Sequence, residues 1–266
     1  MDSKLLAAIN NKATMQAIGR KLASWRMSFQ ERERYCTHDR DPFLKIARDY
    51  LPLDSTKTVV DVGAGSGLFA HCVDPDKRLN NLYLLDANQS TVQYLKTKFR
   101  NVIAYKAPDK LPFANSSVSY IHCSHLIEHL LPDSLYVFLK EIDRVLERGG
   151  TVVVSSPLLW CEFYADMSHI KPYNPDVFIH YFCQPKGDRS SEIISDEYSV
   201  VKMVYRYTTM SCEGWGSRYA VIDFAFQLMI KAARLLGIRK YIKSGYTLVL
   251  NKTNPHIRQL NSDIFG

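Results

Sequence analysis

The chain has 266 residues, 46% of them hydrophobic and 23% charged, with a formal net charge of +7 and a pI near 9.0. That length bounds it to one large domain, or one domain with embellishments, around a substantial core. No apolar run approaches the ~20 residues of a membrane span, and Met1 to Trp25 lacks the compact apolar block of a signal peptide.

Cytoplasmic residence is therefore expected. Six cysteines (Cys36, Cys72, Cys123, Cys161, Cys183, Cys212) are scattered without a C-x-x-C pair. Neither a zinc site nor a redox pair is indicated; reduced, mostly packed thiols are. The basic balance suits an acidic partner such as nucleic acid, an anionic lipid surface or a nucleotide-linked substrate. It equally suits a soluble basic enzyme.

Residues 1–40 read as amphipathic helix, with Leu5, Leu6, Ile9, Met15, Ile18 and Leu22 recurring at helical spacing between basic residues. They form a cap over a cleft, a docking surface, or a plain helical extension packed on the core. Asp41-Pro42 opens the next helix as N-cap and N1. Phe43, Ile46, Ala47, Tyr50 and Leu51 make its apolar stripe, and Pro52 stops it.

Thr58 to Val62 is a short buried strand. It runs into Gly63-Ala64-Gly65-Ser66-Gly67 and then the apolar Leu68-Phe69-Ala70. A strand, a glycine-rich turn and a helix start are the parts of a nucleotide cradle, because glycine lets a ligand approach the backbone. The dinucleotide fingerprint G-x-G-x-x-G fails here, since its third slot is Leu68. Asp61 would repel a pyrophosphate and attract a ligand bearing an ammonium and a sulfonium. A second strand, Asn81 to Asp86, ends in an acid 21 residues after Gly65, the spacing of a ribose-binding carboxylate.

Ser90 to Phe99 is the next helix, and Val102 to Tyr105 a third strand. Leu111-Pro112-Phe113 is a loop element and Val118 to Cys123 a fourth strand. A helix from Pro132 carries Leu135, Phe138, Leu139, Ile142, Val145 and Leu146 on one face. It ends at Gly149-Gly150, before a fifth strand over Thr151 to Val154. Strands alternating with helices imply a parallel, doubly wound sheet with ligands at the strand C-terminal ends.

Residues 58–157 resemble the type 11 branch of the class I S-adenosylmethionine-dependent methyltransferases. The resemblance rests on Asp61-Val62-Gly63-Ala64-Gly65-Ser66-Gly67, Asp86, Leu111-Pro112-Phe113, Ile127-Glu128-His129-Leu130 and Glu141 to Leu146 with Gly149-Gly150, in that order. It implies an α/β fold: a doubly wound, mostly parallel seven-stranded Rossmann-like sheet with an N-terminal helical cap. The domains would be a cap at 1–57, a cofactor core at 58–157, and a specificity segment with the last strands at 158–266.

The resemblance also implies S-adenosylmethionine as cofactor. Its contacts would be Asp61, Gly63, Ala64, Gly65, Gly67, Asp86, Ala87, Ala107, Pro108, Ser124 and His125. Members often carry Gly-Asp after strand three, with the acid on the adenine amine. This chain has Lys106-Ala107-Pro108-Asp109, so Asp109 or a backbone amide would serve.

After strand five, Asp166-Met167-Ser168-His169-Ile170-Lys171-Pro172-Tyr173 resembles a segment of methyltransferases from surface-polysaccharide and other glycan pathways. Asn174-Pro175 caps a helix to Cys183. Gln184 to Ser199 reads as a mobile loop. Val200 to Tyr207 and Tyr246 to Leu250 are the last strands, which the family adds as an antiparallel pair. Between them Tyr219 to Leu236 is a long apolar-rich helix. Packing on the sheet, with lysines and arginines snorkelling, is the expectation; peripheral membrane contact is the alternative.

A hydroxyl acceptor needs a base. His169, with Asp166 to orient it, and His129 are the candidates; His125 lies nearby. His38, His71, His122, His180 and His256 show no ligand spacing, and no metal is expected. The expected reaction is O-methylation of a sugar or glycan-linked polar acceptor. The alternatives are a quinone-like or natural-product acceptor, or a cofactor-binding regulator that does not catalyse. Nucleic acid is not expected, for want of a recognisable binding module.

Overall fold

A computed structural model describes residues 12–74, 80–183, 193–210 and 217–253. Leu5, Leu6, Ile9, Cys212, His256 and most of the loop from Gln184 lie outside the described residues. The backbone of Lys12–Arg34 forms helix α1, and Asp41–Asp49 forms α2. Pro42 sits in the first turn of α2, but the N-cap is Arg40, not Asp41, because Asp39 Oδ1 takes the Asp41 amide and draws the chain into the helix one residue sooner. Phe43, Leu44, Ile46 and Ala47 are its buried face.

The sheet is built from β1 (Val59–Val62), β2 (Leu82–Asp86), β3 (Asn101–Ala104), β4 (Val118–Ser124), β5 (Leu146–Pro157), β6 (Tyr198–Met210) and β7 (Lys240–Lys252). Its order is β3-β2-β1-β4-β5-β7-β6. The first five strands pair in parallel, and β7 runs antiparallel to β5. Every residue of β1 is buried. Near-continuous apolar strands are what a sheet covered on both faces requires. The doubly wound, mostly parallel seven-stranded expectation is met.

The connecting helices are α3 (Leu68–Val73), α4 (Gln89–Lys96), α5 (Pro132–Val145), α6 (Pro175–Phe182) and α7 (Ala220–Leu235). The Asn88 side chain caps α4, accepting from the Ser90 and Thr91 amides. In α5, Leu135, Phe138, Leu139, Ile142 and Val145 are buried at helical spacing. Each such side chain contributes ~1.5–3 kcal/mol by leaving water.

Gly149-Gly150 does not end α5. The helix stops at Val145, and Leu146 already pairs with Val118 of β4. The register then shifts, so that Thr151 pairs with Tyr120. The extra residues form a bulge in β5 that Gly149 turns with φ +82°. Burying Leu146 in the sheet wins over extending the helix.

The chain divides into two compact units. One comprises Asp39–Tyr205 with Lys243–Gly266, and the other Met1–His38 with Arg206–Ile242. The described N-terminal helix α1 therefore groups with α7, while α2 groups with the sheet core. In the helical unit a single β-bridge joins Cys36 to Tyr207. Among the described residues no helix is long and apolar enough to cross a membrane. Five cysteines are free thiols, with Cys123 buried and Cys161 exposed.

Candidate active site

The turn after β1 is held largely by backbone bonds. The Gly63 and Ala64 amides donate to Leu85 O at 2.8 and 3.0 Å, and Gly67 N donates to Ala64 O at 2.9 Å. Gly63, Gly65 and Gly67 have φ of +78°, +53° and +79°, where side chains are rarely accommodated. A Cβ on Gly63 or Gly67 would meet packed side chains, Leu126 at 2.8 Å or Phe99 at 3.0 Å. A Cβ on Gly65 would meet nothing within 4 Å. So two glycines serve packing, and Gly65 alone faces open space.

Asp86 faces the same turn from the end of β2. Its Oδ2 accepts from Gly65 N at 2.8 Å, and its Oδ1 from Asn88 N at 2.9 Å. Each carboxylate oxygen keeps a second lone pair. A bare, positive-φ glycine beside a backbone-braced carboxylate fits an adenosyl ligand. Ala87 is exposed next to Asp86, and Ala107 and Pro108 are half-buried. Asp109 is exposed, and its carbonyl accepts from Tyr105 Oη at 2.8 Å.

Asp61 has a different partner from the one expected. It is 2% exposed, and its Oδ1 lies 2.7 Å from His122 Nδ1 on the paired position of β4. Phe69 stacks on the His122 ring at 4.0 Å. A buried carboxylate needs a partner on the spot, and the register supplies one across the strand. Asp61 is thereby paired with His122 near the end of the strand that leads into the cradle. His122, set aside in sequence for want of ligand spacing, is that partner.

On the other side of the cleft, β4 ends at Ser124, which pairs with Ser155 of β5. His125 follows with φ +55°, its amide on Ser155 O at 2.9 Å and its Nδ1 3.1 Å from Glu128 Oε1. Glu128 is fully buried in a 3₁₀ turn, Ile127–His129. Its Oε2 accepts from Ser156 Oγ at 3.3 Å. Its backbone carbonyl accepts the amides of Ile170 and Lys171 at 2.8 and 3.2 Å. Glu128 thus ties the loop after β4 to the segment after β5.

That tie brings His129 and His169 together, with ring centroids 5.0 Å apart. His129 Nδ1 donates to Ser168 O at 3.0 Å, and His169 Nδ1 donates to Phe163 O at 2.6 Å. A carbonyl only accepts, so the proton of each neutral ring sits on Nδ1 and Nε2 is the basic nitrogen. Asp166, expected to orient His169, places its Oδ2 3.9 Å from His169 Nε2, an ion-pair separation longer than a hydrogen bond. Its Oδ1 instead accepts from Ser168 N and Oγ at 2.9 and 2.6 Å. These bonds, the hydroxyl's first, hold its carboxyl below the usual range. Asp166 therefore shapes the turn whose carbonyl orients His129.

Glu128, His129 and His169 also bring one ligand atom each within 4.8 Å of one another, a set that could hold a divalent cation. Both Glu128 oxygens are already engaged, so a cation would share them with His125 and Ser156.

Two further features were missed in sequence. Arg144 donates to Leu111 O and Phe113 O and pairs with Glu141 at 2.7 Å, which in turn accepts the Leu111 amide. This clamp fixes the Leu111-Pro112-Phe113 loop. Between α5, α6 and the segment that leads into α6, a groove of about 330 Å³ is lined by Tyr136, Lys171, Tyr173 and Tyr181. Only the aromatic richness of the segment hinted at it.

The sheet order matches the Rossmann-like fold of class I methyltransferases. Residues 60–154 match the family model described as Methyltransferase domain. The Arabidopsis thaliana protein named probable methyltransferase PMT8 is 34% identical over 104 residues, 38% of this chain and 16% of that protein. Another from the same plant, named probable pectin methyltransferase QUA2, is 29% identical over 151 residues, 56% of this chain and 21% of that protein. The chain therefore spans about a fifth or less of the length of these relatives. A solved S-adenosylmethionine-dependent methyltransferase from Archaeoglobus fulgidus superposes with a TM-score of 0.54 at 20% identity, covering 85% of this chain and 99% of that one. That last likeness is one of fold.

Proposed function

We propose that this chain is an S-adenosylmethionine-dependent methyltransferase that methylates a hydroxyl of a sugar or glycan-linked acceptor. The observation that carries the reading is the pairing of two half-sites: the open Gly65–Asp86 cradle at the end of β1 and β2, and two oriented histidines beyond β4. When bound, S-adenosylmethionine supplies an electrophilic methyl group on a sulfonium.

Gly63 to Gly67 would seat the ligand's backbone-hugging part, and Asp86 would accept from the ribose hydroxyls. Ala87, Ala107 and Pro108 would border the adenine, and Ser124 and His125 the methionine end. His169 Nε2 would take the acceptor's hydroxyl proton as the oxygen attacks, and His129, its neighbour, is the second candidate. The protein's larger contribution is alignment, which can lower a barrier by ~7–11 kcal/mol. A positioned base adds ~10²–10⁴-fold.

The groove supports a sugar. Tyr136 and Tyr181 meet edge to face at 5.7 Å, and Lys140 and Lys171 lie against tyrosine rings. Flat apolar faces with polar tips suit a ring with both apolar and hydroxyl surfaces. The similarity to a protein named for pectin, a polysaccharide, points the same way.

The test has two stages. Calorimetric titration with S-adenosylmethionine should show saturable binding; its absence overturns the cofactor reading. Mass spectrometry of a strain lacking the gene should then reveal a glycan component lighter by one methylene. Loss of a methyl from a quinone-like metabolite instead would replace the acceptor.

A further inference from the structure

The helical unit turns its apolar surface outward. No residue of α7 is buried. Asp223, Gln227, Lys231 and Arg234 fall on one narrow stripe at helical spacing. The least exposed side chains, Asp223, Phe226, Ile230 and Ala233, mark the inner side. The outer face is left apolar: Val221 is 81% exposed, Phe224 71% and Leu235 89%. Solubility alone would place polar side chains there. In α1 of the same unit, Trp25 is 64% exposed.

Charge is segregated in the same way. By sequence the helical unit holds thirteen Lys and Arg against five Asp and Glu, a surplus of eight. The rest of the chain holds twenty-one against twenty-two, a deficit of one. The whole basic excess of the protein falls, by sequence, in the unit that carries the exposed apolar helix.

We propose that the helical unit docks on an anionic lipid surface, with α7 lying in the plane of the interface. At 16 residues α7 is too short to span a bilayer. A wide apolar face bordered by Lys231 and Arg234, with Arg239 and Lys240 just beyond, is the pattern of an interfacial helix. The basic surplus complements acidic headgroups. The inference is independent of the methyl acceptor.

The full chain is mixed with vesicles of phosphatidylcholine, or of phosphatidylcholine with roughly one-third phosphatidylglycerol, and sedimented. Partitioning onto the anionic vesicles should exceed that onto neutral ones by about tenfold, and should fall steeply with added salt. Val221→Glu with Leu235→Glu places charges only at exposed positions and should reduce binding by about tenfold or more, with S-adenosylmethionine binding unchanged. Lys231→Glu with Arg234→Glu keeps the apolar face and should erase the preference for anionic lipid. Equal or absent binding to both vesicles by the natural chain overturns the proposal. So does a stable dimer by light scattering that Val221→Glu with Leu235→Glu dissolves, which would give the face to a second copy.

Discussion

The two halves of the candidate site are built from different materials. The cradle is made of backbone: three left-handed glycines, amide bonds to Leu85, and one carboxylate braced by two amides. The acceptor side is made of side chains held by bonds that cross long stretches of sequence, such as His129 to Ser168 and Glu128 to Ile170. A backbone-made site tolerates almost any change that leaves the turn intact. A site made of oriented rings depends on every carbonyl that orients them.

That contrast can be broken at either end. Gly65→Val should have the largest effect, because it puts a branched residue at φ +53° and a side chain in the open space of the cradle. Binding of S-adenosylmethionine by calorimetry should become undetectable while circular dichroism is unchanged. Equal affinity in both proteins would remove Gly65 from the ligand path.

Next comes His169→Gln, which keeps reach and polarity but cannot take a proton near neutral pH. Turnover should fall ~10²-fold or more with cofactor affinity retained, and the pH profile of the rate should change. A drop of only a few-fold with the pH profile intact moves the role to His129 or leaves it to alignment. Asp86→Ala follows, at ~1.5–3 kcal/mol of cofactor affinity for a lost charged hydrogen bond. An unchanged dissociation constant would make Asp86 a brace for the Gly65 turn and nothing more.

The smallest effect belongs to the clamp under both halves. The Arg144 bond, followed by the Leu111 amide, holds the Glu141 carboxyl below its ordinary value of 4.5. A depressed folded value means this contribution is present above about pH 4.5 and is lost as pH falls through the folded value. Glu141→Gln should therefore lower stability by roughly 1–2 kcal/mol at neutral pH, and less in acid. Urea melts at pH 7 and pH 3.5 would show it; an equal loss at both would mean packing, not charge.

Much of this was readable in the sequence, and what was not has a physical cause. The strand–glycine–helix run and Asp86 are local features, set by residues within one supersecondary unit. The periodicity of α5 named its buried face, because a helix face is a local property. The partner of Asp61, His122, was not legible because it is fixed by strand register, and register is a property of the assembled sheet. Likewise the part that Asp166 plays in its own turn was hidden because the bonds of its Oδ1 to Ser168 depend on a backbone turn that composition does not show. The Gly149-Gly150 stop was misplaced because burial of Leu146 outweighs a local helix-end signal.

The carbonyl of Glu128 accepts two amides from a segment about forty residues further on. Its side chain meanwhile is sealed in the core. Ile170 and Lys171 lie outside any helix or strand, yet their amides are tied to one of the most enclosed residues in the chain. In the language of local opening, these two amides join the sheet's cooperative unit rather than that of an ordinary surface loop. These two amides should therefore exchange with solvent about as slowly as those of the sheet itself.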